Sequence, residues 1–192
     1  MGSPSDNHAD AHEIAPGIFL GNYRFAYDRY LLSAMGITHI LNAAKELATP
    51  FRDIVYKHFT MDDSVVEPID KNFKESHQFI DEALGKGGKV LVHCYAGISR
   101  SSTLLGSYLM KKYGLTPEGA ILHMKKIRPI VDPNPGFRDR LRHFHQNGYP
   151  QDKLLFDPVD FSDDDDMPFL MDDFKPSAPP LVTSPNRMWL SG

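Results

Sequence analysis

Apolar positions in the first 150 residues alternate between two spacings. GIFLG (17–21) and ITHILNA (37–43) are short β-rich runs. DIVYKHFTM (53–61) is longer and partly alternating, and KVLVHC (89–94) is apolar with almost no interruption. An uninterrupted run of this kind is what a strand buried on both faces of a parallel sheet requires. Between these runs the spacing becomes helical. Tyr27, Tyr30, Leu31 and Ala34 share one face of a helix that Gly36 ends. Phe73, His77, Ile80 and Leu84 make a second stripe, with Asp70 as its expected N-cap.

Three helices are expected after the last strand. The first runs from about Ser101 to Tyr113, turns Leu104, Leu105, Tyr108 and Leu109 inward, and stops at Gly114. Thr116 caps the next, with Pro117 at its first position and Ala120, Ile121, Met124 and Ile127 inward. Asn134-Pro135 repeats that start, with Phe137, Leu141 and Phe144 inward and Asn147-Gly148 at the end. The pattern is α/β, a mainly parallel central sheet of about four or five strands with helices on both faces.

Charge divides the chain in two. From Gln151 onward there are nine aspartates and three basic residues, a net −6, with six of the 15 prolines, whereas the first 150 residues carry a net +2. We therefore expect a domain over residues 13–150 and an acidic, proline-rich, disordered tail over 151–192. No apolar run approaches the roughly 18 residues of a membrane span, and the polar start MGSPSDNHADAHE lacks the layout of a signal peptide. Gly2 lacks the Ser or Thr at position 6 that myristoylation would want, since Asp6 stands there. The acidic balance, with no basic cluster, argues against nucleic acid as a partner. A single cysteine, Cys94, rules out an internal disulfide and suits a reducing compartment, so cytoplasm or nucleus is expected.

That cysteine lies in VLVHCYAGISRSS (90–102), just past the end of the buried strand, with the next helix starting near Ser101. In a parallel α/β sheet, ligands bind outside the carboxyl ends of the strands. Backbone N–H groups of such a strand–loop–helix turn can converge on one point, aided by the positive end of the helix dipole. Gly97 lets the loop close tightly, and Arg100 supplies a planar fork matched to phosphate oxygens. The same field stabilises a thiolate at Cys94, so an anion cradle and a nucleophile coincide. A buried structural cysteine is the alternative, and the grouping of His93, Cys94, Gly97, Arg100 and Ser101 weighs against it.

HCYAGISRS resembles the H-C-x-x-G-x-x-R-[ST] signature of protein tyrosine phosphatases, in the A-G-I-S-R-S form common among dual-specificity phosphatases. RPIVDPNPGF resembles the family segment that packs beside the phosphate loop, and GIFLGNY and ITHILNAA resemble its opening strands. The resemblance spans roughly Glu13 to Pro150 and is to the small, atypical members. It implies that Cys94 attacks phosphorus while Arg100 and the loop, Tyr95, Ala96, Gly97, Ile98 and Ser99, hold the phosphate oxygens. It also implies that Ser101 assists the departing thiolate, with no metal and no cofactor. An aspartate in TMDDSVV is the implied general acid; alignment to relatives favours Asp63, 31 residues before Cys94, over Asp62. His93 either supports the loop by hydrogen bonding or is a packed strand-end histidine. Asn134 either braces the loop or caps a helix.

Two competing functions remain open at this level. One is a pseudophosphatase that binds phosphoproteins without turnover; intact Cys94, Arg100 and an acid candidate oppose it. The other keeps the chemistry on a phosphoinositide, phosphoglucan or RNA end. Lipid-directed members of the family that this chain resembles place lysines inside this loop, so uncharged Tyr95, Ala96, Ile98 and Ser99 imply phosphorylated proteins, signalling kinases among them, as substrates. Two further motifs are decoys. GKGGK (85–89) follows a helix and leads into a strand, the reverse of a nucleotide-binding loop. His8 and His12, in a polar terminus, are expected to be disordered rather than metal-bound. The plainer reading of the tail is a solvated extension that aids solubility; FLM (169–171), PSAP (176–179), Ser162 and Ser184 suggest, as the alternative, docking of a regulatory partner or phosphorylation.

Overall fold

The computed structural model describes residues 9–148 of the 192. Five strands form one sheet: β1 (Ala11–Ala15), β2 (Ile18–Gly21), β3 (His39–Asn42), β4 (Val55–His58) and β5 (Val90–His93), in the order β1-β2-β5-β3-β4. Only β1 runs antiparallel, hairpinned onto β2. β5 lies at the centre, parallel to both β2 and β3, with Val90 opposite Ile18 on one side and His39 on the other.

Period two divides the core. Ile18, Leu20, Leu41, Val90 and Val92 face a large apolar cluster, while Phe19, Ile40 and Leu91 face a smaller one on the opposite side. β5 is buried on both faces, as its apolar run requires, each full side chain contributing roughly 1.5–3 kcal/mol relative to exposure. The smaller face is covered by α1 (Tyr23–Ala26) and α2 (Arg29–Met35). The larger takes α3 (Phe73–Gly85), α4 (Arg100–Tyr113), α5 (Pro117–Ile127) and α6 (Pro135–Gln146). α4 is the central helix: every residue from Arg100 to Met110 is buried. Thr116 and Asn134 both cap as expected, accepting from the amides of Gly119 and Phe137.

Several local expectations are corrected. β1 starts at Ala11, so the ordered part begins before Glu13, and His12 is not disordered but paired within β1. Ile14 and Ala15 are buried, and that burial pulls a polar stretch into the sheet. The first helix is two pieces, broken where Asp28 caps α2. Leu32 is its buried residue, whereas Tyr27, Tyr30 and Ala34 are exposed. Asp70 does not cap α3; it lies in a 3₁₀ turn, Ile69–Asn72, and faces Arg140 at 3.6 Å. Among the described residues no helix is long and apolar enough to cross a membrane. The tail from Gln151, Gly2 and His8 lie outside the described residues.

Candidate active site

The buried end of β5 delivers His93 and Cys94 to the base of a loop that closes at Arg100, the first residue of α4. Cys94 is 2% exposed, and its Sγ accepts two hydrogen bonds, from Gly97 N–H at 3.3 Å and Ser101 Oγ at 3.2 Å. Gly97 sits at φ +70°, and a Cβ there would lie 2.4 Å from Gly21 O, so the loop presses directly on the end of β2.

Every carbonyl from Tyr95 to Ser99 is taken by the scaffold. Tyr95 O accepts from Tyr23 N–H, and Ile98 O from Asp132 N–H, each at 3.0 Å. Ser99 O accepts from Thr103 N–H. Ala96 O and Gly97 O both accept from Arg128, through Nη2 and Nε, each at 3.1 Å. The amides of Tyr95, Ala96, Ile98 and Ser99 have no partner among the described residues. With the carbonyls drawn outward, N–H groups are left on the inner side: a nest for an anion.

Arg128 is 1% exposed and had no role in the sequence reading, though it opens the RPIVDPNPGF segment. Its charge is met by Asp10, through Nη1 at 2.9 Å and Nη2 at 3.0 Å, and Nη1 also meets His12 Nδ1 at 3.1 Å. For that nitrogen to accept from a guanidinium, His12 must be neutral there; burial first, then the Arg128 charge, lowers its pKa.

On the other side of the loop Asp63 approaches from the segment between β4 and the 3₁₀ turn. Its Oδ1 accepts from Ser99 Oγ at 2.7 Å and from Asn134 Nδ2 at 2.8 Å. Its Oδ2 lies 3.9 Å from Arg100 Nε. Asp62 instead pairs with Lys45 at 2.5 Å, with both side chains about half exposed. Asn134 thus caps α6 and holds Asp63 together, and its own N–H donates to Ser99 Oγ at 3.1 Å. His93 is fully buried with Nδ1 3.2 Å from Cys94 O, and burial pushes its pKa down to about 4, so the ring is neutral. The structure therefore brings together Cys94, Arg100, Asp63, Ser101, His93 and Asn134 around one loop.

This chain matches the family model "Dual specificity phosphatase, catalytic domain" over residues 18–147. It belongs to the dual-specificity phosphatase family. Its relatives include dual specificity protein phosphatase 15 of Mus musculus, 36% identical over 166 residues, covering 83% of this chain and 69% of that protein. Dual specificity protein phosphatase 1 of Arabidopsis thaliana is 38% identical over 143 residues, covering 74% of this chain and 72% of that protein. Among solved structures, DUSP15 superposes with a TM-score of 0.68 at 39% identity, covering 70% of this chain and 86% of that one. The dual-specificity phosphatase fold and its cysteine loop are thus the frame for the geometry above. The chain is a cysteine-dependent phosphatase of that family.

At the rim of the loop, Tyr95 is exposed and stacks on Tyr23, ring centroids 4.7 Å apart. Val65 and Val66 are exposed on the segment that carries Asp63.

Proposed function

We propose that this phosphatase removes phosphate from phosphotyrosine and from phosphoserine/threonine in proteins through a phosphocysteine formed on Cys94. The observation that carries the reading is the partition of the loop backbone, carbonyls held by the scaffold and amides left for an anion, around a buried thiol. Cys94 thiolate attacks phosphorus in line with the ester oxygen; the S–P bond forms as the P–O bond breaks. The loop amides and Arg100 hold the three equatorial oxygens. Asp63, anchored through Oδ1, gives its proton from Oδ2 to the leaving oxygen, which a serine or threonine alkoxide needs more than a phenolate does. In the second half Asp63 takes a proton from water as that water attacks phosphorus, and the thiolate leaves against the Ser101 hydroxyl. The products are the free hydroxyl side chain and inorganic phosphate.

Uncharged Tyr95, Ala96, Ile98 and Ser99 suit a protein substrate, and the Tyr95–Tyr23 stack offers an apolar wall to its backbone. Phosphorylated signalling kinases fit this description, in the cytoplasm or nucleus where the thiol stays reduced. The acidic segment from Gln151 onward is assigned to docking of a regulatory partner and not to the chemistry.

The test is phosphate release from phosphotyrosine and phosphothreonine peptides, inositol lipids and phosphoglucan, side by side, with full-length protein and with residues 1–150. Hydrolysis of both peptides by both proteins, and none by Cys94→Ser, is expected, because a serine hydroxyl is a far weaker nucleophile toward phosphorus than a thiolate. Turnover confined to lipid or glucan would overturn the protein-substrate reading. Turnover by Cys94→Ser would remove Cys94 from the nucleophile's place.

A further inference from the structure

The five N–H donors of Arg100 can be assigned one by one. Nη1 donates to Glu46 Oε2 at 2.9 Å and to Met61 O at 3.1 Å, and Nη2 donates to Glu46 Oε1 at 2.7 Å. That accounts for three. Nε is buried without a hydrogen-bond partner, and one N–H of Nη2 remains. In a planar guanidinium these two lie parallel along one edge, the arrangement that meets two oxygens of a phosphate at once. Glu46 occupies the end of the fork and leaves the side edge for the substrate.

Glu46 is itself held in place. It lies just after β3, where fully buried Asn42 closes the turn: Oδ1 accepts from Ala44 N–H at 3.0 Å and Nδ2 donates to Leu47 O at 2.9 Å. His58 Nε2 adds a contact to Ala44 O at 2.9 Å. The Arg100 hydrogen bonds, against the opposing effect of burial, hold the Glu46 carboxyl below the usual carboxylate range. In Arg100, burial pulls the pKa down, and the Glu46 hydrogen bonds with the charges of Cys94, Glu46 and Asp63 more than offset it.

We infer that Glu46 is the positioning residue for phosphate recognition, setting the rotation of the Arg100 guanidinium so that its Nε–Nη2 edge is presented to the substrate. The inference rests on the reading of Arg100 as a phosphate ligand. It has a distinctive sign. A carboxylate this near an anion site repels the anion, so electrostatics alone predicts that removing its charge tightens phosphate binding. Positioning predicts the opposite, since an amide in place of the carboxylate turns one Arg100 contact into donor against donor.

The test measures steady-state hydrolysis of an aryl phosphate and competitive inhibition by inorganic phosphate for wild type, Glu46→Gln, Glu46→Asp, Arg100→Lys and the Glu46→Gln/Arg100→Lys double variant. For Glu46→Gln we expect kcat/KM to fall about 10- to 100-fold and phosphate to inhibit about 5- to 10-fold more weakly. Glu46→Asp, too short by one methylene, should show a smaller loss in the same direction. It carries the test if the Gln variant does not fold, as judged by thermal melting. In the Arg100→Lys background, Glu46→Gln should cost less than about twofold, because the group it orients is gone. Tighter or unchanged phosphate inhibition, or an equal loss in both backgrounds, overturns the inference. A near-wild-type rate for Arg100→Lys alone would instead overturn the reading of the loop as a phosphate site.

Discussion

At the residue scale, two adjacent aspartates with the same chemistry have different surroundings. Asp63 spends one oxygen on Ser99 and Asn134 and turns the other toward Arg100; Asp62 turns outward to Lys45. We predict that Asp63→Ala slows phosphothreonine peptide hydrolysis by on the order of 10²-fold or more, and slows a substrate with a good leaving group far less. Asp62→Ala should stay within about threefold of wild type on both, because a half-exposed ion pair contributes little. Rates on the two substrates check this directly, and a reversed pattern would give the acid's place to Asp62. Ser99 was expected among the phosphate-binding residues for its backbone; its hydroxyl also ties Asp63 to the loop and to α6.

At the scale of elements, the segment carrying Asp63 is located by its contact with the start of α6. A Cβ on Gly136 would lie 1.9 Å from Val65 O and 2.6 Å from Val65 C, both backbone atoms that cannot rotate away. Gly136→Ala should therefore push the 62–66 segment off α6 and carry Asp63 away from the leaving oxygen. We expect phosphothreonine peptide hydrolysis to fall about 10- to 100-fold, while inhibition by inorganic phosphate changes far less, since the carbonyls of the 94–100 loop are held by Tyr23, Arg128, Asp132 and Thr103 and not by the displaced segment. A wild-type rate with an unchanged melting temperature would mean that Asp63 is located by Ser99 and Asn134 alone. The opposite flank has its own brace: Arg128 links α5's end and the loop carbonyls to Asp10 and His12, so β1 takes part in shaping the loop.

At the scale of the whole molecule, buried neutral histidines make the fold acid-sensitive. Burial pushes both His93, at the site, and His77, wedged against Ser107 between α3 and α4, from an ordinary value near 6.5 down to about 4. The folded state then binds fewer protons than the unfolded chain between these values. The associated stability is fully present above about pH 6.5 and is lost as pH falls toward 4, on the order of 3 kcal/mol for each histidine at full extent. The melting temperature should fall across that window, and His77→Phe, which keeps a ring beside Phe73, should make the fall shallower. An unchanged slope in that variant would place the proton uptake elsewhere.

What the sequence determined by itself was what local pattern encodes. The continuous apolar run of β5, the Thr116 and Asn134 caps and the spacing from Cys94 to Arg100 all act within a few residues of themselves, and each is found where the sequence placed it. Local pattern misled where packing overrode it. The apolar face of α2 turned out to be Leu32 and not Tyr27 or Tyr30, and the polar start was drawn into the sheet by Ile14 and Ala15. Only the tertiary structure decided the orientation of the site's groups. Glu46 meets Arg100 across 54 positions, Asp10 meets Arg128 across 118, and Asn134 meets Asp63 across 71. No periodicity links residues so far apart. Buried polar atoms must find partners wherever the packed sheet and helices bring them, and the chain's order carries no record of which these will be.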